Sequence, residues 1–190
     1  GKEITKLKFF KYNFYNFNNN KYLISRSGFS KQGGYEVHVE DSRAGQKLYD
    51  HLFDIGSKYN LKPGAPNHPE RIEGGLLSYG NDMLIKDNPF ECGFDKSIHL
   101  DADIEFLAKK NLKKIRDKGI KKKLMGVKIN LNELSFADMD LLNKNNKIIG
   151  ELRSAAYSPK FKKIVGIAMV KMEHCKNKEI FKMSVDSKFI

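Results

Sequence analysis

Ser25-Arg26-Ser27-Gly28-Phe29-Ser30-Lys31-Gln32-Gly33-Gly34-Tyr35-Glu36 is the stretch on which the reading of this chain turns. Gly28, Gly33 and Gly34 mark residues 27–34 as a loop whose backbone can turn tightly or come close to a ligand. Before it, residues 7–17 are rich in aromatics, Asn18-Asn19-Asn20 is a turn and residues 21–27 are extended again, which predicts a hairpin. After it, residues 35–40 alternate strictly, which predicts a strand with Glu36, His38 and Glu40 on one face. A carboxylate therefore follows a glycine loop directly. Taken alone, Glu36 is most simply a solvated strand residue.

Working outward, Asp41 or Ser42 caps a helix whose buried stripe is Ala44, Leu48, Leu52 and Ile55 and which Gly56 ends. Residues 62–66 form a proline–glycine loop. Asn67 and Glu70 have capping-box spacing for a short helix running toward Leu77, with Pro69 tolerated in its first turn. A third helix is expected from about Asp103, with Ile104, Leu107, Leu112 and Ile115 on one side and Gly119 at its end. Beyond Lys121-Lys122-Lys123, short apolar or alternating stretches at 124–131, 148–156, 164–170 and 180–185 predict a small antiparallel β unit, a barrel or a sandwich. The class is thus α+β, with a boundary near Gly119 that divides the chain into 1–119 and 120–190.

The 190 residues suffice for one good core or two small ones. An apolar fraction of 40% and a charged fraction of 31% are globular values and argue against wholesale disorder. Of the 35 basic residues behind the net charge of +12 only five are arginines, and the lysines are dispersed. The aromatic–basic interleaving of nucleic-acid modules is missing, so no nucleic-acid partner is expected. No apolar run approaches a membrane span and no signal peptide is visible, so no membrane partner is expected and a reducing cytoplasm is the default location. Cys92 and Cys175 read as small apolar residues. His51, His68, His99 and His174 have no ligand spacing, so no metal is expected.

Further blocks follow the opening stretch in order: Arg71-Ile72-Glu73-Gly74-Gly75-Leu76-Leu77-Ser78-Tyr79-Gly80-Asn81-Asp82, Asn88-Pro89-Phe90-Glu91-Cys92-Gly93-Phe94, Asp103-Ile104-Glu105-Phe106-Leu107 and Arg153-Ser154-Ala155-Ala156-Tyr157-Ser158-Pro159. Together the five blocks resemble the signatures of the glycine-cleavage T-protein (aminomethyltransferase) family, over about residues 22–170. Ser30 to Glu36 is similar to the form found in its dimethylsulfoniopropionate demethylase branch, as is Glu91-Cys92-Gly93. The resemblance implies a C-terminal part of such an enzyme: a folate-binding α/β segment over 1–119 and a small antiparallel β-barrel over 120–190.

It also implies methyl or aminomethyl transfer to tetrahydrofolate from a small-molecule donor. Glu36 aligns with the family's folate-holding glutamate. There a carboxylate would accept two parallel pterin N–H groups in a charge-assisted pair. Phe29 aligns with the family's cofactor-side aromatic, and Tyr35 and Tyr22 are further aromatic faces suited to a sulfonium cation. His38 stands where the demethylases have a tyrosine near the substrate. Asn67 stands where the family has a folate-binding arginine, whose charge it cannot supply. Arg71 is expected in a supporting ion pair with Glu73 or Glu36, and Tyr79 on the wall of the site. The catalytic aspartate of the aminomethyltransferases is expected ahead of Gly1, so this chain alone should hold an incomplete active site.

Overall fold

The computed structural model describes residues 3–28, 33–65, 67–130, 140–142, 147–176, 178–180, 182–185 and 188–189. They fall into two compact units, Gly1–Asn67 and His68–Ile190.

In the first unit, β1 (Tyr12–Phe17), β2 (Asn20–Ser25) and β3 (Glu36–His38) form an antiparallel sheet in that order. Asn18 and Asn19 close the β1–β2 hairpin with φ of 46° and 60°. A type I′ two-residue turn needs that left-handed pair, and asparagine adopts it readily. Helix α1 (Ser42–Gly56) follows, capped by Asp41, whose carboxylate accepts the Arg43 N–H at 2.9 Å. Tyr22 and Ile24 turn toward the core, and the Tyr22 hydroxyl lies 3.4 Å from the Ala44 carbonyl of α1. The stripe expected on α1 is only partly covered: Ala44 is buried, but Leu52 and Ile55 are exposed. A helix of 15 residues is about 22 Å long, more than a sheet ending in a three-residue strand covers. The strand expected over 35–40 is likewise only Glu36–His38.

In the second unit, α2 (His68–Gly74) and α3 (Lys109–Lys118) accompany β4 (Lys122–Ile129), β5 (Asp140–Leu142), β6 (Ile148–Ser158), β7 (Lys163–Lys171), β8 (Lys182–Val185) and β9 (Lys188–Phe189). The six strands are antiparallel in the order β4-β7-β6-β5-β8-β9. One face of β6 and β7 carries Ile149, Leu152, Ala155, Ile164, Ala168 and Val170; Val165 and Ile167 face the other way and pack with Ile72 of α2. Burial on both faces explains the continuous apolar run of β7. The α+β class with an antiparallel C-terminal sheet is as the sequence implies.

The third helix starts six residues later than expected, at Lys109 rather than near Asp103. Lys109 is buried, and its ammonium donates to the carbonyls of Ala102 and Ile104 at 2.8 and 2.9 Å. These bonds hold the preceding backbone outside the helix, leaving Ile104 and Leu107 exposed. Leu112 alone of the four expected residues is fully buried, against Phe90 and Leu100, with Ile115 partly buried beside them. Gly119 caps α3 with a φ of 79°.

Candidate functional site

Glu36 is the first residue of β3, and its ladder partner is Ser25 of β2. Residues directly opposite across an antiparallel ladder share a face, and residues two apart on a strand do too. Ser25, Glu36 and His38 therefore lie on the side of the sheet opposite Tyr22 and Ile24. Glu36 and His38 are exposed. The Ser27 hydroxyl donates a hydrogen bond to Glu36 Oε2, and the Ser25 and Ser27 oxygens are 2.8 Å apart. Arg26 donates to the Leu7 carbonyl at 2.8 Å, and its guanidinium carbon lies 5.8 Å from the centre of the Tyr35 ring. Gly33 and Gly34, at φ of 78° and 121°, precede Tyr35 with open space where a Cβ would stand. Phe29, with Ser30 to Gln32, lies outside the described residues. Tyr35 is half-exposed, whereas Tyr22 is a core residue of its unit.

In the second unit, Arg71 is buried and its charge partner is Asp82, not Glu73. Asp82 Oδ2 also accepts the Ser78 N–H at 2.7 Å, and the Ser154 hydroxyl of β6 donates to Asp82 Oδ1. Arg71 further donates to the Leu76 carbonyl at 2.9 Å and to Ser154 at 3.2 Å. Glu73 instead accepts from the hydroxyl of Ser158, so α2 is fastened to β6 at two points. Tyr79, in the loop above this network, is exposed.

Sequence reading missed a second buried cluster. The Asp87 side chain has no solvent exposure; it is paired with Lys122 of β4 and lies 3.4 Å from Arg153 of β6. Burial would raise its pKa, but the Lys122 hydrogen bond, the Leu84 N–H and the Arg153 charge outweigh that and hold it below the ordinary carboxylate value. Arg153 is the extra residue of a bulge in β6, because Leu152 pairs with Ala168 and Ser154 with Ile167. A bulge re-aims a side chain, and no spacing in the sequence marks this one. Burial, reinforced by Asp87 and Glu91, also pushes the Cys92 thiol pKa up. Among the described residues no cluster of His, Cys, Asp or Glu could hold a metal ion, and no helix is long and apolar enough to cross a membrane.

Comparison with known proteins agrees with this frame. The family profile described as the GCVT N-terminal domain matches residues 2–102, and that of the glycine cleavage T-protein C-terminal barrel domain matches residues 122–189. Dimethylsulfoniopropionate demethylase DmdA of Ruegeria pomeroyi is 35% identical over 92% of this chain and 47% of its own length. An aminomethyltransferase of Alkaliphilus metalliredigens is 31% identical over 78% of this chain and 40% of its own length. The chain thus spans less than half the length of these relatives. The crystal structure of the glycine cleavage system aminomethyltransferase T from Bartonella henselae superposes with a TM-score of 0.80 at 20% identity, over 89% of this chain and 47% of that one. Signature blocks, α+β architecture and both profiles converge: the chain belongs to the glycine cleavage T-protein family.

Proposed function

We propose that this chain contributes the folate-binding face of a tetrahydrofolate-dependent methyltransferase that demethylates dimethylsulfoniopropionate to methylthiopropionate, forming 5-methyltetrahydrofolate. The carrying observation is Glu36, an exposed carboxylate on the strand that follows an open glycine turn. The residues present fit the cofactor. A pterin ring offers two parallel N–H donors that one carboxylate accepts together, and Gly33 and Gly34 carry no side chain on the approach to it. Tetrahydrofolate supplies N5 as the methyl acceptor. Glu36 orients the pterin edge; Phe29 and the half-exposed Tyr35 supply aromatic faces. His38, about 6.6–7 Å further along the strand, faces the donor. A sulfonium is already activated, because a neutral thioether leaves, so holding the methyl carbon in line with N5 is the main catalytic work. The 35% identity to a dimethylsulfoniopropionate demethylase favours this donor. We further propose 1–119 and 120–190 as the functional division, and the cytoplasm as location.

A second reading, aminomethyl transfer in glycine cleavage, is favoured by the similarity to aminomethyltransferases. Titration of tetrahydrofolate into wild-type protein and Glu36→Gln tests the cofactor assignment. The amide removes the charge and puts an NH2 donor where an acceptor faced a pterin N–H, so the dissociation constant should rise roughly tenfold to a hundredfold with no change in thermal unfolding. Equal affinity would remove Glu36 from the site. The donors are separated by assaying 5-methyltetrahydrofolate formation from dimethylsulfoniopropionate against methylenetetrahydrofolate formation from an aminomethylated carrier.

A further inference from the structure

We infer that Ser27 is a positioning residue for Glu36, the last link of a hydroxyl chain from Ser25 that fixes which edge of the carboxylate faces the ligand. The inference rests on Glu36 being the folate carboxylate. Each serine hydroxyl has one proton to donate. Ser27 spends its proton on Glu36 Oε2, so at the 2.8 Å contact Ser25 must be the donor and Ser27 the acceptor. The direction is therefore fixed: Ser25 O–H to Ser27, Ser27 O–H to Glu36. Hydrogen bonds in such a chain polarise one another, so the last one is the stronger for having the first behind it.

Glu36 stands on an exposed strand end, where a glutamate would otherwise sample several rotamers and lose that freedom only on binding. The Ser27 bond holds Oε2 before a ligand arrives. A carboxylate oxygen has two acceptor sites, so Oε2 keeps one and Oε1 both, enough for a ligand with two parallel N–H groups on one edge. Arg26 acts on the neighbouring residue: tied to the Leu7 carbonyl at 2.8 Å, it lies over the Tyr35 ring. Three consecutive residues, 25–27, thus fix two consecutive ones, 35 and 36, across the glycine loop. This accounts physically for the Ser-Arg-Ser start of the stretch.

Calorimetric titration of tetrahydrofolate into the full chain tests this, with Ser27→Ala, Ser27→Thr, Glu36→Gln and the Ser27→Ala/Glu36→Gln double variant. Ser27→Ala should weaken binding about tenfold, Ser27→Thr should restore it to within about threefold, and Ser27→Ala should add nothing once Glu36 is glutamine. The 13C signal of the Glu36 carboxyl should move in Ser27→Ala and hold in Ser27→Thr, a change that general loosening of the loop would not produce. Unchanged affinity in Ser27→Ala beside a weakened Glu36→Gln overturns the role of Ser27 and leaves the folate assignment standing. Additive losses, or a loss that threonine does not repair, also overturn it. Wild-type affinity in Glu36→Gln, or no binding by the unmodified chain, overturns both.

Discussion

Glu36 and Asp87 are both carboxylates, yet solvent separates their behaviour. Glu36 stands in water and keeps acceptor capacity for a ligand, whereas Asp87 is enclosed and fully engaged with Lys122, Arg153 and the Leu84 N–H. A carboxyl whose folded pKa lies below its unfolded value of about 3.9 stabilises the fold fully above that value. It loses the contribution as pH falls through the folded pKa. Asp87 is of this kind. Asp87→Asn should therefore lower stability by a constant amount from pH 7 down to about 4. Below that the gap to wild type should close, as read from urea unfolding at pH 7, 5 and 3. His38 carries a different expectation. His38→Tyr should lower KM or raise kcat for dimethylsulfoniopropionate while tetrahydrofolate affinity stays within about threefold. Matched kinetic and calorimetric titrations decide it; a change confined to folate binding would place His38 at the pterin instead.

At the scale of elements, β6 and β7 show how closely two backbones can be forced together. A Cβ added at Gly150 would overlap the Met169 carbonyl oxygen on β7, and backbone cannot swing aside as a side chain can. A Cβ added at Gly126 on β4 would meet nothing. Gly150→Ala should cost about 1–3 kcal/mol, as overpacking does, while Gly126→Ala should stay within about 0.5 kcal/mol. Thermal unfolding of the two variants compares them directly. The apolar run of β7 was legible because burial on both faces leaves no polar alternation to misread. So were the hairpin, from its asparagines, and the cap of α1, from Asp41. The start of α3 was not, because the same apolar spacing continues back to Ile104 while the deciding group is a lysine folded inward. Glu36 was singled out as a candidate by its glycine loop and its resemblance to a family signature. Asp82 and Ser154 were not, since an acid in a loop and a serine in a strand announce nothing until the fold brings them to Arg71.

Considered as a whole, the chain covers less than half of the relatives it matches. We therefore expect the 190 residues by themselves to yield no sustained 5-methyltetrahydrofolate from dimethylsulfoniopropionate. Continuous turnover by the purified chain would show that the site is complete within it. Its second unit is drawn together by Arg71, Asp82 and Ser154, from α2, the loop after it and β6. Removing one member of a buried ion pair strands the other charge, at a cost of about 3–5 kcal/mol, whereas replacing both with apolar groups of similar size is often nearly neutral. Arg71→Met and Asp82→Leu should each be severely destabilising by urea unfolding. The double variant should be clearly more stable than the sum of the two losses implies. Full additivity would mean that the pair is not coupled. The consequence reaches into descent. At such costs a lineage that altered either residue first would pass through a crippled ancestor, so the route between the charged and the apolar version of this joint would be a valley that single steps do not cross.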